Sequence, residues 1–257
     1  MTNQLFEGPR LKIERAKRHI EELESRIKSF RDLNPYSLVR ETDPDTGDNV
    51  YRVRIKEVIP CDFSVIIGDA VHNLRSALDQ VVCDLVAANC GRVTRKTGFL
   101  ITGSRDTFET HFPEKIKGVS KRAERAMRRF KPYESGCDLL YFLNWLDIED
   151  KHKGIIAVGA AHRQVRAVHT VHASQIVPGQ PIKIPVKVGP NHIVCPLTDN
   201  AEVFRTGPTG FDEDVEVAIE VAVAEAPIGQ GQPIVPILAQ TAHFIEKGVD
   251  ILERHAL

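Results

Sequence analysis

The sequence GDAVHNLRSALDQ, residues 68–80, has the pattern of a helix with one apolar and one polar face. At about 100° per residue, apolar side chains recur on one side of this helix and continue on the same side in the residues before and after it. They are Ile67, Val71, Leu74, Leu78, Val81 and Leu85. The other side carries short polar groups in place of the Lys and Glu of a solvated face: Asp69, His72, Asn73, Ser76, Asp79, Gln80 and Cys83. We predict a central helix over residues 62–88 whose polar face meets a partner or ligand.

Further helices are predicted on both sides of this central one. Residues 9–33 repeat apolar side chains in alternating steps of three and four, the spacing of an amphipathic helix. Residues 138–153 and 237–253 each carry one apolar stripe of the same kind. Residues 38–59 alternate polar and apolar side chains beyond the turn sequence PDTGD, and this pattern predicts a β-hairpin.

The pattern of the chain changes after residue 153. Stretches rich in β-branched residues, separated by Pro and Gly, predict strands at 165–173, 182–188, 193–197 and 214–224. We predict an α+β fold, in which a helical bundle carries an N-terminal β-hairpin and a β-rich insert precedes the C-terminal helix. The predicted units are a helical bundle with the hairpin at 1–153, a β-rich subdomain at 154–230 and a returning C-terminal helix at 231–257.

Composition narrows the functional classes. The 257 residues are 42% hydrophobic and 27% charged, as in ordinary globular proteins. No apolar run approaches the ~20 residues that span a bilayer, and residues 1–9 lack a signal-peptide pattern, so we expect a cytoplasmic protein with no membrane segment. The five cysteines include no Cys-x-x-Cys pair, which argues against a zinc knuckle or redox site. We predict no cofactor.

Charge is sorted along the chain. Residues 92–131 contain twelve Lys and Arg against four Asp and Glu, whereas residues 153–257 contain eight against eleven. A predicted helix at 119–130 projects five cations within about 120° of one another: Lys121, Arg122, Arg125, Arg128 and Arg129. Such an arc repels itself unless an anion is near, so it predicts contact with a nucleic-acid backbone, with a solvated basic face as the alternative. Residues 92–118 lack periodicity and are predicted to be loop.

The polar face of the central helix contains groups able to bind or react. Arg75 can clamp a phosphate through two hydrogen bonds, and His72 can exchange a proton near neutral pH. Asp79 follows Arg75 by four residues and can pair with it or orient the His72 ring. We assign His72, Arg75 and Asp79 as candidate catalytic residues. The candidate ligand-binding residues are Asp69, Asn73, Asn144, Asp147, Asp150 and His152.

Two other interpretations of these residues stay open. In one, the polar face only joins the central helix to the helix at 138–153 through buried hydrogen bonds, and the protein is structural or binds a partner without catalysis. In the other, carboxylates and imidazoles hold a metal ion, as they do in helical bundles. The available groups are Asp69, His72, Asp79, Asp150 and His152. Their spacing matches no standard metal-binding signature, and we predict no metal.

Two motifs carry a resemblance to a known family. The segment GDxxHNLRSALD at 68–79, followed by NxxDxxDKH at 144–152, resembles a family of uncharacterised bacterial proteins with a helical bundle. Typical members have His where this chain has Gln80, and the resulting RSALDH is similar to the Arg-x4–6-His motif of HEPN-type ribonucleases. That similarity implies a homodimer that binds RNA or another polyanion. Because Gln80 cannot shuttle a proton near neutral pH, it also implies either an inactive ribonuclease or a base moved to His72 or His152.

Overall fold

The computed structural model describes residues 5–155, 157–162, 166–171, 182–187, 193–207, 218–224, 226–227 and 230–256. In these residues the chain forms six helices and eight strands, so the expectation of a mixed α+β fold is confirmed. The helices are α1 (Glu7–Asp32), α2 (Asp62–Ala88), α3 (Arg105–Lys115), α4 (Lys121–Arg128), α5 (Asp138–His152) and α6 (Ile234–Glu253). The strands are β1 (Tyr36–Thr42), β2 (Asn49–Ile55), β3 (Ala157–His162), β4 (Arg166–Val171), β5 (Ile182–Lys187), β6 (Ile193–Val194), β7 (Glu202–Thr206) and β8 (Ala218–Val223).

The helical bundle forms because each long helix buries the stripe that its sequence predicts. α1 packs along α2, and α5 and α6 cover the remaining sides of α2. The predicted apolar face of α2 is buried over its whole length, from Ile67 to Leu85. In α6 the inward residues include Leu238, Ile245 and Val249. Each fully buried aliphatic side chain contributes about 1.5–3 kcal/mol relative to an exposed one, so this shared core carries most of the stabilisation.

The N-terminal hairpin is confirmed and gains a third strand. β1 and β2 pair antiparallel, with Tyr36 opposite Ile55. β7, which the sequence does not predict, pairs antiparallel with β2 and completes a sheet in the order β1-β2-β7. Adjacent residues Val203 and Phe204 of β7 are both buried, so this strand lacks the polar–apolar alternation that reveals a half-exposed strand. The sheet therefore combines strands that precede residue 154 with a strand that follows it.

The remaining strands form two small sheets, one in the order β6-β3-β8 and one of β4 with β5. All of their pairings are antiparallel. The predicted strands at 165–173, 182–188 and 214–224 extend onto residues 165, 172–173, 188 and 214–217, which lie outside the described ranges. The predicted strand at 193–197 is shorter than expected, because β6 ends at Val194.

The prediction of loop over residues 92–118 is wrong for α3. Ser104 caps this helix, since its Oγ accepts a hydrogen bond from Thr107 N at 3.2 Å. Only Phe108 and Phe112 of α3 are buried, and Pro113 lies in its last turn. Two apolar residues give too weak a periodic signal, but the Ser cap and the acidic residue in the first turn could have indicated the helix. Among the described residues, no helix is both long and apolar enough to cross a membrane.

Candidate functional site

Arg75 and Asp79 of α2 hold the buried residue Phe99 of the segment between α2 and α3. Arg75 Nη2 donates a hydrogen bond to Phe99 O at 2.8 Å, and Asp79 Oδ1 accepts one from Phe99 N at 2.8 Å. The two side chains also form an ion pair, with Nη1 2.9 Å from Oδ1 but without hydrogen-bond alignment. Phe99 is only 3% exposed, so this pair satisfies both backbone groups of a core residue. These contacts give Arg75 and Asp79 a packing role, as the structural interpretation of the polar face expects, but they join α2 to the segment around Phe99 and not to α5.

His72 belongs to a separate polar cluster, formed between α2 and α5. Its Nδ1 lies 3.4 Å from Asp147 Oδ1, and its Nε2 lies 3.5 Å from Ser76 Oγ. The Asp147 side chain is 7% exposed and pairs through its other oxygen with Lys151. The His72 side chain is 54% exposed. A buried carboxylate thus orients an imidazole that solvent can reach, which is the arrangement of a general base.

Asp150 lies against α2 at the place where Gly68 lacks a side chain. A Cβ at position 68 would come within 2.7 Å of the Asp150 carboxylate, so glycine is required for this close approach. Burial raises the pKa of Asp150, and the negative charges of Asp147 and Asp69 raise it further. The cluster of His72, Asp147 and Asp150 therefore brings together residues from both sequence motifs.

The other predicted ligand-binding residues are not gathered into one site. Asn73 Nδ2 donates to Asp69 O at 2.7 Å, within α2, and Asn73 Oδ1 accepts from Lys12 at 3.3 Å. Within the described ranges, neither Asn144 nor His152 makes a hydrogen bond or ion pair with the His72 cluster. No group of three or more His, Cys, Asp or Glu in the described part of the chain is placed to hold a metal ion.

α4 and its C-cap residue Arg129 carry the five predicted cations, and two of the five pair with carboxylates. Ser120 caps the helix by accepting a hydrogen bond from Ala123 N at 3.2 Å. Lys121 pairs with Glu124 at 2.9 Å. Arg128 pairs with Glu124 at 3.2 Å and also with Glu109 of α3, and its guanidinium lies 4.6 Å from the centre of the Phe112 ring. Arg128 thus holds α3 against α4. The sequence does not indicate this role, because it does not predict α3.

The other three cations, Arg122 and Arg125 of α4 and the C-cap residue Arg129, line a shallow pocket of about 140 Å³, which His255 also lines. Arg122 Nε donates to His255 Nδ1 at 3.0 Å, and Arg125 Nε donates to the Lys121 carbonyl at 3.2 Å. Arg129 is exposed and pairs with no carboxylate of the described residues. We call Arg122, Arg125, Arg129 and His255 the α4 basic surface. His255 was not predicted, since it lies 126 or more residues away in sequence and reaches α4 only through the fold.

The basic segment as a whole is poorly neutralised. All of residues 92–131 are described, and only Lys96, Lys121 and Arg128 of their twelve cations pair with a carboxylate. Three of the four carboxylates are used in those pairs. The nine cations without a carboxylate partner among the described residues are Arg92, Arg95, Arg105, Lys115, Lys117, Arg122, Arg125, Arg129 and Lys131.

None of the protein families, curated proteins or solved structures compared with the chain matches it. The resemblance to HEPN-type ribonucleases therefore stays a prediction.

Proposed function

We propose that the protein binds RNA, or another polyanion, through the α4 basic surface. The observation that carries this proposal is that Arg122, Arg125 and Arg129 line one pocket and have no carboxylate partner in the described structure. These three cations, on α4 and at its C-cap, repel one another, and phosphates of a nucleic-acid backbone relieve that repulsion while releasing bound counterions. The resemblance to HEPN proteins favours RNA over other polyanions.

The test compares two charge-reversed proteins of equal net charge. Arg125→Glu with Arg129→Glu removes two exposed cations of the α4 basic surface. Arg15→Glu with Arg18→Glu makes the same charge change on the exposed side of α1, where neither residue has a carboxylate partner in the described structure. Fluorescence anisotropy with a labelled single-stranded RNA should show at least a tenfold loss of affinity for the first protein and a loss of no more than about twofold for the second. Equal losses in both proteins would reject a local site.

A second function, RNA cleavage, is favoured by one observation: the exposed His72 ring is oriented by the buried Asp147. In this proposal His72 takes the proton of a ribose 2′-hydroxyl, the 2′-oxygen attacks the adjacent phosphorus, and a 2′,3′-cyclic phosphate forms. The leaving 5′-oxygen takes a proton from water. His72→Gln should abolish cleavage of a labelled RNA on a gel without a change in melting temperature. Absence of cleavage by the unaltered protein would reject this second function and leave the binding proposal standing.

The homodimer that the resemblance implies is part of the same proposal. One chain has a mass of 28.7 kDa. Light scattering coupled to size exclusion should therefore give twice that mass, and a mass equal to one chain would remove the dimer from the proposal.

A further inference from the structure

A second concave basic site lies outside the α4 basic surface. It is a cleft of about 700 Å³ between the loop that follows α2 and the turn that precedes α4. The cleft is lined by Arg92, Thr94, Arg95, Lys96, Glu114 and Lys117. Its volume falls within the range of about 300–1,000 Å³ that is usual for small-molecule sites, and it is larger than a single phosphate requires.

The charges that line this cleft are strongly unbalanced. Glu114 is already paired with Lys96, so its negative charge is neutralised. Arg92, Arg95 and Lys117 are all exposed and have no carboxylate partner in the described part of the chain. The cleft thus presents three uncompensated positive charges. Two of them are guanidinium groups, whose paired donors match phosphate oxygens.

The main chain of the cleft walls is held in place by hydrogen bonds to side chains and by one close packing contact. Asn89 Nδ2 donates to Gly118 O at 3.0 Å, which ties the end of α2 to the turn before α4. A Cβ at Gly91 would lie 2.8 Å from Val86 Cγ1 and 3.2 Å from Gly118 O, so glycine permits this close approach. Thr94 N donates to Thr97 Oγ1 at 3.0 Å and closes the turn that carries Arg95 and Lys96. The backbone is therefore preformed, and only the long basic side chains need to adjust to a ligand.

We propose that this cleft binds a chain of adjacent phosphates, as found in inorganic tripolyphosphate, in a nucleoside triphosphate or at the 5′-triphosphate end of an RNA. Three cations on a preformed wall match three or four negative charges that are covalently linked. This ligand differs from the evenly spaced phosphodiesters of an RNA backbone. The inference goes beyond the proposed RNA binding and does not depend on it.

Isothermal titration calorimetry with tripolyphosphate tests the site. Arg92→Glu with Arg95→Glu should weaken binding at least tenfold, whereas Arg125→Glu with Arg129→Glu should change it by less than about twofold. The Arg125→Glu, Arg129→Glu protein is the one that should lose RNA binding. An error in the cleft proposal and an error in the RNA-binding proposal therefore give different results. Lys117→Gln removes one charge without reversing it and should weaken tripolyphosphate binding at least threefold. This variant provides the test if the doubly reversed protein does not fold.

Two further probes identify the source of the phosphates. Tighter binding of ATP than of tripolyphosphate, with the loss in the Arg92→Glu, Arg95→Glu protein retained, would support a nucleotide ligand. Binding of a 5′-triphosphate RNA that exceeds binding of the same RNA with a 5′-hydroxyl would support an RNA end. Absence of saturable binding of all of these probes by the unaltered protein, or equal losses of tripolyphosphate affinity in both reversed proteins, would overturn the proposal.

Discussion

Asp79 illustrates how one side chain can fix a neighbouring loop. Its carboxylate accepts the backbone N–H of the buried Phe99, and a Cβ at Gly98 would lie only 2.8 Å from it. Asp79→Ala leaves that N–H without a partner, so the free energy of unfolding should fall by about 1–3 kcal/mol. Asp79→Asn keeps an acceptor oxygen and should cost less. Urea unfolding of the two variants measures both values. Full stability of the alanine variant would contradict the packing role.

Gly68 and Asp150 should be energetically coupled. Alanine is favoured over glycine by about 1 kcal/mol inside a helix, but a Cβ at position 68 displaces the Asp150 carboxylate. Gly68→Ala should therefore destabilise the unaltered protein. In an Asp150→Ala background, the same change should stabilise by about 0.5–1 kcal/mol. A double-mutant cycle from denaturant unfolding checks this, and equal effects in the two backgrounds would show that the two residues do not compete for space.

The pKa of Asp150 predicts a pH effect on stability. Burial and the charges of Asp147 and Asp69 raise that pKa above the unfolded value of about 4. Between the unfolded and folded pKa values the folded protein binds more protons than the unfolded chain, so stability contributed by this group falls as pH rises through that interval. Asp150→Asn has no such loss. Its stability relative to the unaltered protein should increase from acidic to neutral pH in urea unfolding. Parallel pH profiles would contradict the raised pKa.

At the scale of single elements, the contact between α3 and α4 depends on Arg128. It pairs with Glu109 and Glu124 and lies over the Phe112 ring. Arg128→Ala should lower the free energy of unfolding by about 1 kcal/mol, because partly exposed ion pairs and cation–π contacts contribute that much together. Arg125→Ala is the matched control on the same helix and should leave stability unchanged. Thermal unfolding of both proteins provides the measurement, and equal stability of the two would contradict this assignment.

The elements also show which parts of the structure can be predicted from sequence. α1, α2, α5 and α6 bury long stripes, and a stripe of that length imposes a clear helical period. The sequence does not predict α3 or β7 because each has only two buried residues in the described part of the chain. In α3 they lie one helical turn apart, in β7 they are adjacent, and neither pair shows a repeating period. Both motifs contribute residues to the His72 cluster, but the separation of Arg75 from His72 depends on how Phe99 packs. Such a tertiary contact cannot be predicted from the spacing of residues in the sequence.

At the scale of the whole molecule, the polar His72 cluster and the excess of positive charge belong to different parts of the chain. The His72 cluster joins α2 to α5, whereas the cations belong to residues 92–131. Nine of those twelve cations lack a carboxylate partner in the described structure. We propose that an external anion neutralises these charges, and the proposed RNA binding depends on this claim above all.

The salt dependence of RNA binding tests that claim most directly. For single-stranded nucleic acids, the logarithm of the binding constant falls with the logarithm of salt concentration by about 0.7 for each phosphate that is neutralised. The unaltered protein should show a steep negative slope in fluorescence anisotropy titrations, and Arg125→Ala with Arg129→Ala should reduce its magnitude by about 1.4. RNA affinity that does not respond to salt, or a slope that is the same in both proteins, would contradict the account.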